Sequence, residues 1–180
     1  MWVAELLVTV WILLPTYIPN NVAVLVGGGR PLDGGATYRG RRLLGDGKTV
    51  RGSVGGAIAG VLVAVGLTLL RPVVEPLVGM GLPGFPPAVI VALPVGAIVG
   101  DIAGSFLKRR ADYARGAAIP LLDQLDFLVG AAVLTLLVAP GWVLATVSPT
   151  VAAIAVVLTP LLHRLANILA YVLGLKQEPH

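Results

Sequence analysis

Residues 87–110 read PAVIVALPVGAIVGDIAGSFLKRR, and this stretch decides the fold. About 20 apolar residues in a row are enough for a helix to cross a bilayer core. Residues 87–107 meet that length with one acid among them, Asp101. A carboxylate at mid-membrane costs roughly 3 kcal/mol even on the gentler insertion scales. Because such an acid persists only where something compensates it, Asp101 marks a candidate functional site.

The composition extends this character to the whole chain of 180 residues. Hydrophobic residues make up 57% and charged residues only 12%, whereas a soluble domain of this size needs far more charge on its surface. The net charge of +4 comes from bases in short loops, without a basic face interleaved with aromatics, so we expect no nucleic-acid partner. With no Cys, two His and no HExxH pattern, neither thiolate chemistry nor a zinc site is expected.

Five apolar segments are long enough to span the bilayer. We therefore predict an all-α, polytopic membrane protein that forms a single domain over residues 1–180. Its five transmembrane helices are expected near 1–18, 53–70, 87–107, 121–139 and 149–173. The loops at about 27–52 and 108–120, together with the C-terminal tail, hold nearly all the bases. The positive-inside rule then places the N-terminus outside the cell membrane, and the C-terminus and the polar chemistry on the cytoplasmic side.

Glycines recur at four-residue spacing in the second and third segments, at Gly56 and Gly60 and at Gly96, Gly100 and Gly104. Small residues at this spacing let two helices approach closely, and helix packing is the first interpretation of the pattern. The second interpretation is a groove, left by the missing side chains, in which lipid tails lie.

The loop motif GDGKTVRG at 45–52 is typical of a phosphate-binding turn. Glycine lets backbone N–H groups turn toward an anion, and Lys48 and Arg51 add positive charge. The spacing is not that of a Walker A loop, which would need glycine where Arg42 stands. The alternative is a flexible loop whose bases act only as a positive-inside topology signal. A loop of that kind would not need the acid Asp46 beside Lys48.

Three acids on two neighbouring segments form a candidate metal site. Asp101, Ser105 and Lys108 follow one helix stripe. Asp123 and Asp126 share a face at the start of the next segment. Two like charges this close destabilise each other unless a proton or cation intervenes, and oxygen ligands suit Mg²⁺ beside a substrate phosphate. The alternatives are a salt bridge for Asp101 and a solvated first-turn position for Asp123.

Polar residues also mark the last segment and the end of the first. His163, Arg164 and Asn167 fall at helical spacing, so we expect this stripe to face the bundle interior, with an acid or phosphate near Arg164. Structural hydrogen bonding is the alternative for Asn167. Asn20, after the first segment, either contacts substrate or caps a turn.

Together these motifs resemble the archaeal CDP-archaeol synthases. The resemblance rests on residues 20–35, 45–52, 100–110, 120–131 and 163–176, and so touches all five segments. The bacterial phosphatidate cytidylyltransferases are related to this family. They share the Lys-Arg pair, here Lys108 and Arg109, and the D-x-x-D motif, here Asp123 and Asp126. Their PGHGG element, which precedes the D-x-x-D motif, is replaced in this chain by ARGAAIP. The resemblance implies a five-helix membrane enzyme that joins CTP to an isoprenoid glycerol-phosphate ether lipid, gives CDP-archaeol and pyrophosphate, and requires Mg²⁺.

From the residues and the resemblance we assign candidate roles. The candidate catalytic residues are Asp101, Lys108, Asp123 and Asp126, of which the three aspartates would bind Mg²⁺. The candidates for nucleotide and phosphate binding are Gly45, Asp46, Gly47, Lys48, Thr49, Arg51, Ser105, Arg109 and Arg110, and those for a lipid or other polar site are Asn20, His163, Arg164 and Asn167. A CDP-alcohol phosphotransferase and a small ion- or proton-coupled transporter are the alternatives. A phosphotransferase would need its acids in a DG-x2-AR array, whereas the acids here run D…D-x2-D over two segments. A transporter would leave the GDGKT motif of the loop unexplained.

Overall fold

The computed structural model describes residues 2–111, 113, 119 and 121–172, with the backbone alone at 163 and 166–172. This part of the chain is mostly helical. The helices are α1 (Trp2–Leu25), α2 (Val50–Val78), α3 (Pro87–Arg110), α4 (Leu122–Val138), α5 (Pro140–Thr146) and α6 (Pro149–Val172). In the connection between α1 and α2, β1 (Thr37–Tyr38) and β2 (Arg41–Arg42) pair antiparallel, with Thr37 opposite Arg42.

Of the described helices, α1, α2 and α3 are each long and apolar enough to cross a membrane. α4 and α5 meet at an angle of 119° and together make a bent fourth span or a re-entrant loop. In α6 the apolar stretch that the structure describes without interruption, Pro149–Leu162, is by itself shorter than a full span, and the helix continues to Val172. The structure therefore supports an all-α, membrane-embedded protein, while the fifth span and the orientation in the bilayer stay predictions.

Two helices run further than the hydropathy pattern predicts. α1 continues through Pro19 to Leu25, so Asn20 lies inside a helix and the turn cap suggested for it is wrong. α2 continues through Pro72 and Pro76 to Val78. Proline is tolerated within membrane helices because neighbouring groups satisfy the carbonyls that it leaves free.

The glycine rows of α2 and α3 are packing surfaces. On α3, Gly96, Gly100 and Gly104 lie directly against α4, and a methyl group at Gly100 would overlap the carbonyl oxygen of Asp126. On α2, Gly60 is buried against α1 and α3 in the same way. The predicted close approach is confirmed, and the predicted lipid groove is wrong, because other helices cover these surfaces. This packing also brings Asp126 to α3.

At the end of the bundle away from Asp101, two tryptophans fix the connection between α2 and α3. Trp11 Nε1 donates to the carbonyl oxygen of Pro83 at 3.1 Å, and Trp142 Nε1 donates to that of Gly84 at 2.7 Å. The residues that follow, from Phe85 onward, continue into the buried core. Asp101 and its partner Lys48 lie at the opposite end of the bundle.

Candidate functional site

One carboxylate, that of Asp33, organises the connection between α1 and α2. It accepts hydrogen bonds from the backbone N–H groups of Gly35, Leu44 and Gly45 at 3.1, 3.0 and 3.2 Å. It also accepts from Arg42, through Nε at 3.2 Å and Nη2 at 2.7 Å, and its side chain is only 1% exposed. The hydrogen bonds from Arg42 and from the backbone hold the pKa of Asp33 well below its usual range. The connection thus folds around a permanently charged group.

Asp33→Asn is expected to loosen this connection. The amide offers one acceptor atom instead of two and no charge to Arg42, so at about pH 7 we expect proteases to cut residues 26–49 roughly tenfold faster. Because the pKa of Asp33 is lowered in the folded protein, its contribution is complete above the ordinary value of 3.8 and is lost only as the pH falls below it. Limited proteolysis at about pH 7 and about pH 4.5 checks both points. Asp46→Asn, at the exposed carboxylate that also contacts Arg42, is the matched control, and equal acceleration in both variants would contradict the assignment.

The folded connection presents Lys48 to α3. The N–H of Leu32 donates to the Lys48 carbonyl oxygen at 2.8 Å, and Pro31 forms a β-bridge with Thr49. Thr49 is buried and caps the start of α2 with its side chain. From this position Lys48 Nζ reaches Asp101 Oδ2 at 2.6 Å. The loop motif and the acid of the third segment, which are distant in sequence, therefore form one ion pair.

Two lysine–aspartate pairs and a third acid gather where α3 and α4 pack. Lys48 holds Asp101, and Lys108 Nζ lies 2.7 Å from Asp123 Oδ1. Asp126 is partly buried, and its carboxylate lies tightly against α3. It is also close enough to Asp101 for the two negative charges to repel each other. Such repulsion is relieved by a bound proton or by a cation.

The donor set fits a divalent cation through two of the three predicted ligands. Within the described residues no three acidic or histidine side chains form a group that could hold one metal ion, so the predicted cluster of three aspartates is not formed. In this structure Lys48 pairs with Asp101 and Lys108 pairs with Asp123. Asp101 and Asp126 are two mutually repelling oxygen donors, and Mg²⁺ commonly takes one or two carboxylates with water and phosphate as its other ligands.

The arginines predicted to bind phosphate make contacts of their own. Arg51 donates to two backbone carbonyl oxygens just after α1, at 2.6 and 2.5 Å, and so ties α1 to the start of α2. Arg110 donates to two carbonyl oxygens of the β1–β2 hairpin at 3.4 and 3.1 Å, and lies 5.2 Å from the centroid of the Tyr38 ring. Arg109 donates to a backbone carbonyl oxygen at 2.9 Å, but its buried Nε has no hydrogen-bond partner among the described residues.

A polar pocket of about 90 Å³ opens beside the Lys48–Asp101 pair. It is lined by Asn20, Ala23, Val24, Gly47, Lys48, Thr49, Gly52, Ser53, Ile98 and Asp101. Three other predicted residues lie outside this lining. Gly45 takes a positive φ of 97° in the turn, Asp46 pairs with Arg42 at 2.7 Å, and Ser105 is partly buried further along α3.

The polar stripe predicted for the last segment is described only in part. His163 and Asn167 belong to α6, but their side chains lie outside the described residues. Arg164 is exposed, so its predicted interior position is wrong. The buried face of α6 includes Ala155 and Thr159, which are four residues apart. Arg164 does not continue this spacing and so lies on another face of the helix.

A second cavity, of about 220 Å³, lies in the apolar part of the bundle. All helices except α2 contribute to it, through side chains such as Leu13 of α1, Leu128 of α4 and Val151 of α6. Because its walls are almost entirely hydrocarbon, this cavity suits an apolar ligand. Its place could not be predicted from the sequence, since it forms only where five helices meet.

Comparison with known proteins gives a consistent assignment. A family model described as CarS-like, CDP-archaeol synthase matches residues 2–180. The chain is 56% identical over 177 residues to the CDP-archaeol synthase of Halobacterium salinarum, covering 98% of each chain. It is 52% identical to that of Natronomonas pharaonis, covering 96% of each, and 44% identical to that of Methanosarcina mazei, covering 93% of this chain and 99% of the relative.

A solved structure of an intramembrane enzyme for archaeal membrane lipids biosynthesis has the same fold, with a TM-score of 0.71 and 38% identity over 88% of this chain and 92% of that one. The phosphotransferase and transporter alternatives find no support in these matches. Cytidylyltransferases generally use a divalent metal ion, which agrees with the acids that the site gathers. The chain belongs to the CDP-archaeol synthase family, the CTP-dependent cytidylyltransferases of archaeal membrane lipid biosynthesis.

Proposed function

We propose that this chain transfers the cytidylyl group of CTP to an isoprenoid ether lipid phosphate at the site formed by Asp126, the Lys48–Asp101 pair and the Lys108–Asp123 pair. The observation that carries the proposal is this gathering of two lysines and three aspartates where α3 and α4 pack, in a chain with only 12% charged residues. Neighbouring charges of both signs suit a polyanionic substrate that is bound together with a cation.

In the proposed reaction a lipid phosphate oxygen attacks the α-phosphorus of CTP, the bond to the β-phosphate breaks, and pyrophosphate leaves. Such a transfer relies on positioning and charge neutralisation, so no side-chain nucleophile is needed. Lys48 and Lys108 would exchange their carboxylate partners for phosphate oxygens, and Arg109, the next residue of α3, would add positive charge. Asp101 and Asp126 would hold a divalent cation, proposed to be Mg²⁺, which neutralises the triphosphate when bound.

We place this site at the cytoplasmic face of the cell membrane. The basic connection between α1 and α2 and the basic end of α3 lie at the same end of the bundle as the acids, and the positive-inside rule assigns such an end to the cytoplasm. Five spans with the N-terminus outside follow if α6 also crosses the bilayer. The apolar cavity lined by α1, α4 and α6 would accept hydrocarbon of the lipid substrate.

The direct test is pyrophosphate release by the purified protein in detergent. CTP is supplied with either an isoprenoid ether lipid phosphate or a diacyl phosphatidic acid, and heat-inactivated protein serves as the blank. We expect release that requires both CTP and a lipid phosphate, with the ether lipid preferred. Chelation of divalent cations should abolish release, and added Mg²⁺ should restore it. Release without lipid, or full activity with chelator present, would contradict the proposal.

A further inference from the structure

The side chain of Arg110, the last residue of α3, holds the β1–β2 hairpin against that helix. Its Nη1 donates to the Tyr38 carbonyl oxygen at 3.4 Å, and its Nη2 donates to the Arg42 carbonyl oxygen at 3.1 Å. Its guanidinium carbon also lies 5.2 Å from the centroid of the Tyr38 ring and 5.4 Å from that of the Phe106 ring, within the range of a cation–π interaction. These contacts anchor both strands of the hairpin to the last turn of α3.

A short series of contacts leads from the hairpin to Lys48. Arg42, whose backbone Arg110 holds, uses its own side chain to pair with the buried carboxylate of Asp33 at 2.7 Å. The residue before Asp33 is Leu32, whose N–H donates to the Lys48 carbonyl oxygen at 2.8 Å. The ammonium of Lys48 in turn reaches the acid of α3 at 2.6 Å. The connection between α1 and α2 is therefore held on α3 by Arg110 as well as by Lys48.

The geometry of Arg110, and not only its charge, suits this task. Both Nη atoms are directed at backbone carbonyl oxygens, and the Nε is buried. The rigid, planar fork of a guanidinium matches two acceptors at fixed positions, whereas a lysine carries the same charge on a flexible stem without the fork. Arg110→Lys therefore separates the two properties, because it keeps the charge and removes the fork.

We propose that Arg110 is a positioning residue for the cytidylyl transfer, which holds the connection between α1 and α2 on α3 and so keeps Lys48 beside the substrate phosphates. This inference rests on the proposed function, in which Lys48 exchanges Asp101 for a phosphate oxygen. During that exchange the Lys48–Asp101 pair no longer links the connection to α3. The contacts of Arg110 involve no group of the proposed site, so they persist and limit the movement of Lys48. Even a small displacement of a group that binds the substrate can cost a large factor in kcat/KM.

The first measurement is lipid-dependent pyrophosphate release by Arg110→Lys and Arg110→Gln. Because both variants lose the fork, both should raise the KM for CTP by about tenfold and change the KM for the lipid phosphate by less than about twofold. A smaller folded fraction alone would lower kcat and leave both KM values unchanged. Arg30→Lys is the matched control, since it makes the same charge-preserving change at an exposed arginine of the same connection, and it should match the wild type.

The second measurement reports the position of the hairpin without nucleotide. Because the chain has no cysteine, spin labels can be attached specifically to Ala36→Cys beside β1 and Val91→Cys on α3, both at exposed positions. We expect a narrow distribution of distances between the labels in the otherwise wild-type protein and a broader one in both Arg110 variants. Tyr38→Leu removes the stacked ring and keeps the carbonyl acceptor, so it should show a weaker form of both effects and replaces the Arg110 variants if they do not fold.

Other combinations of these results would overturn the assignment. A wild-type KM for CTP in Arg110→Lys together with a raised one in Arg110→Gln would mean that the charge acts on phosphate directly. A raised KM for CTP with an unchanged distance distribution, or a broader distribution with wild-type kinetics, would separate the anchor from the reaction. A wild-type protein without lipid-dependent release would instead defeat the proposed function, while the distance measurement would still report the anchor, so the two failures are distinguishable.

Discussion

Asp126→Asn is expected to lower cytidylyl transfer at least about a hundredfold while leaving the protein folded. The amide has nearly the shape of the carboxylate and should fit the same tight position against α3. It carries no charge, however, with which to hold a divalent cation beside the triphosphate. The change also removes the repulsion between Asp126 and Asp101, so thermal stability should equal or exceed that of the wild type.

Opposite effects on activity and stability separate this prediction from simple damage to the fold. Pyrophosphate release and the thermal unfolding midpoint are measured on the same preparation, with the three tryptophans as the fluorescence probe. Glu5→Gln is the matched control, since it makes the same acid-to-amide change on α1. There Ser148 Oγ donates to Glu5 Oε1 at 3.4 Å. Near-normal turnover in Asp126→Asn would remove Asp126 from the proposed site.

The features predicted correctly from the sequence are those that one segment encodes alone. Apolar runs of sufficient length identify α1, α2 and α3 as candidate membrane helices, whereas the functional site that the acid in residues 87–107 indicates stays a proposal. The glycine spacing on α3 predicts close packing, and this is confirmed. The same spacing also suggested a lipid groove, because a surface without side chains looks identical in sequence whether a helix or a lipid covers it.

The features that could not be predicted depend on contacts between distant segments. Lys48 and Asp101 are joined only because the connection between α1 and α2 folds back on α3. The sequence does not reveal the role of Asp33, although an acid before two glycines is a local turn signal, since its partner Arg42 is set by the hairpin. The interior position predicted for Arg164 is wrong because a polar stripe gives the period of a helix and not the face that neighbouring helices cover.

Gly100→Ala tests whether helix packing places Asp126, and we expect it to reduce both stability and activity. The added methyl group would overlap the Asp126 carbonyl oxygen and meet the Gly130 Cα, and backbone atoms cannot turn aside as a flexible side chain can. Overpacking of this kind typically costs about 1–3 kcal/mol. If α3 and α4 separate to relieve it, Asp126 moves away from Asp101, and turnover should fall more than stability alone explains.

The matched control is Gly66→Ala on α2, because a methyl group there would have no neighbour within 4 Å among the described residues. Alanine favours a helix over glycine by roughly 1 kcal/mol, so this control should unfold at the wild-type temperature or slightly above it. Its activity should be unchanged. Thermal unfolding and pyrophosphate release are again measured together. If Gly100→Ala matched Gly66→Ala in both, the close contact of α3 with α4 would not be what positions the acid, and Asp126 would have to be held by the ion pairs around it.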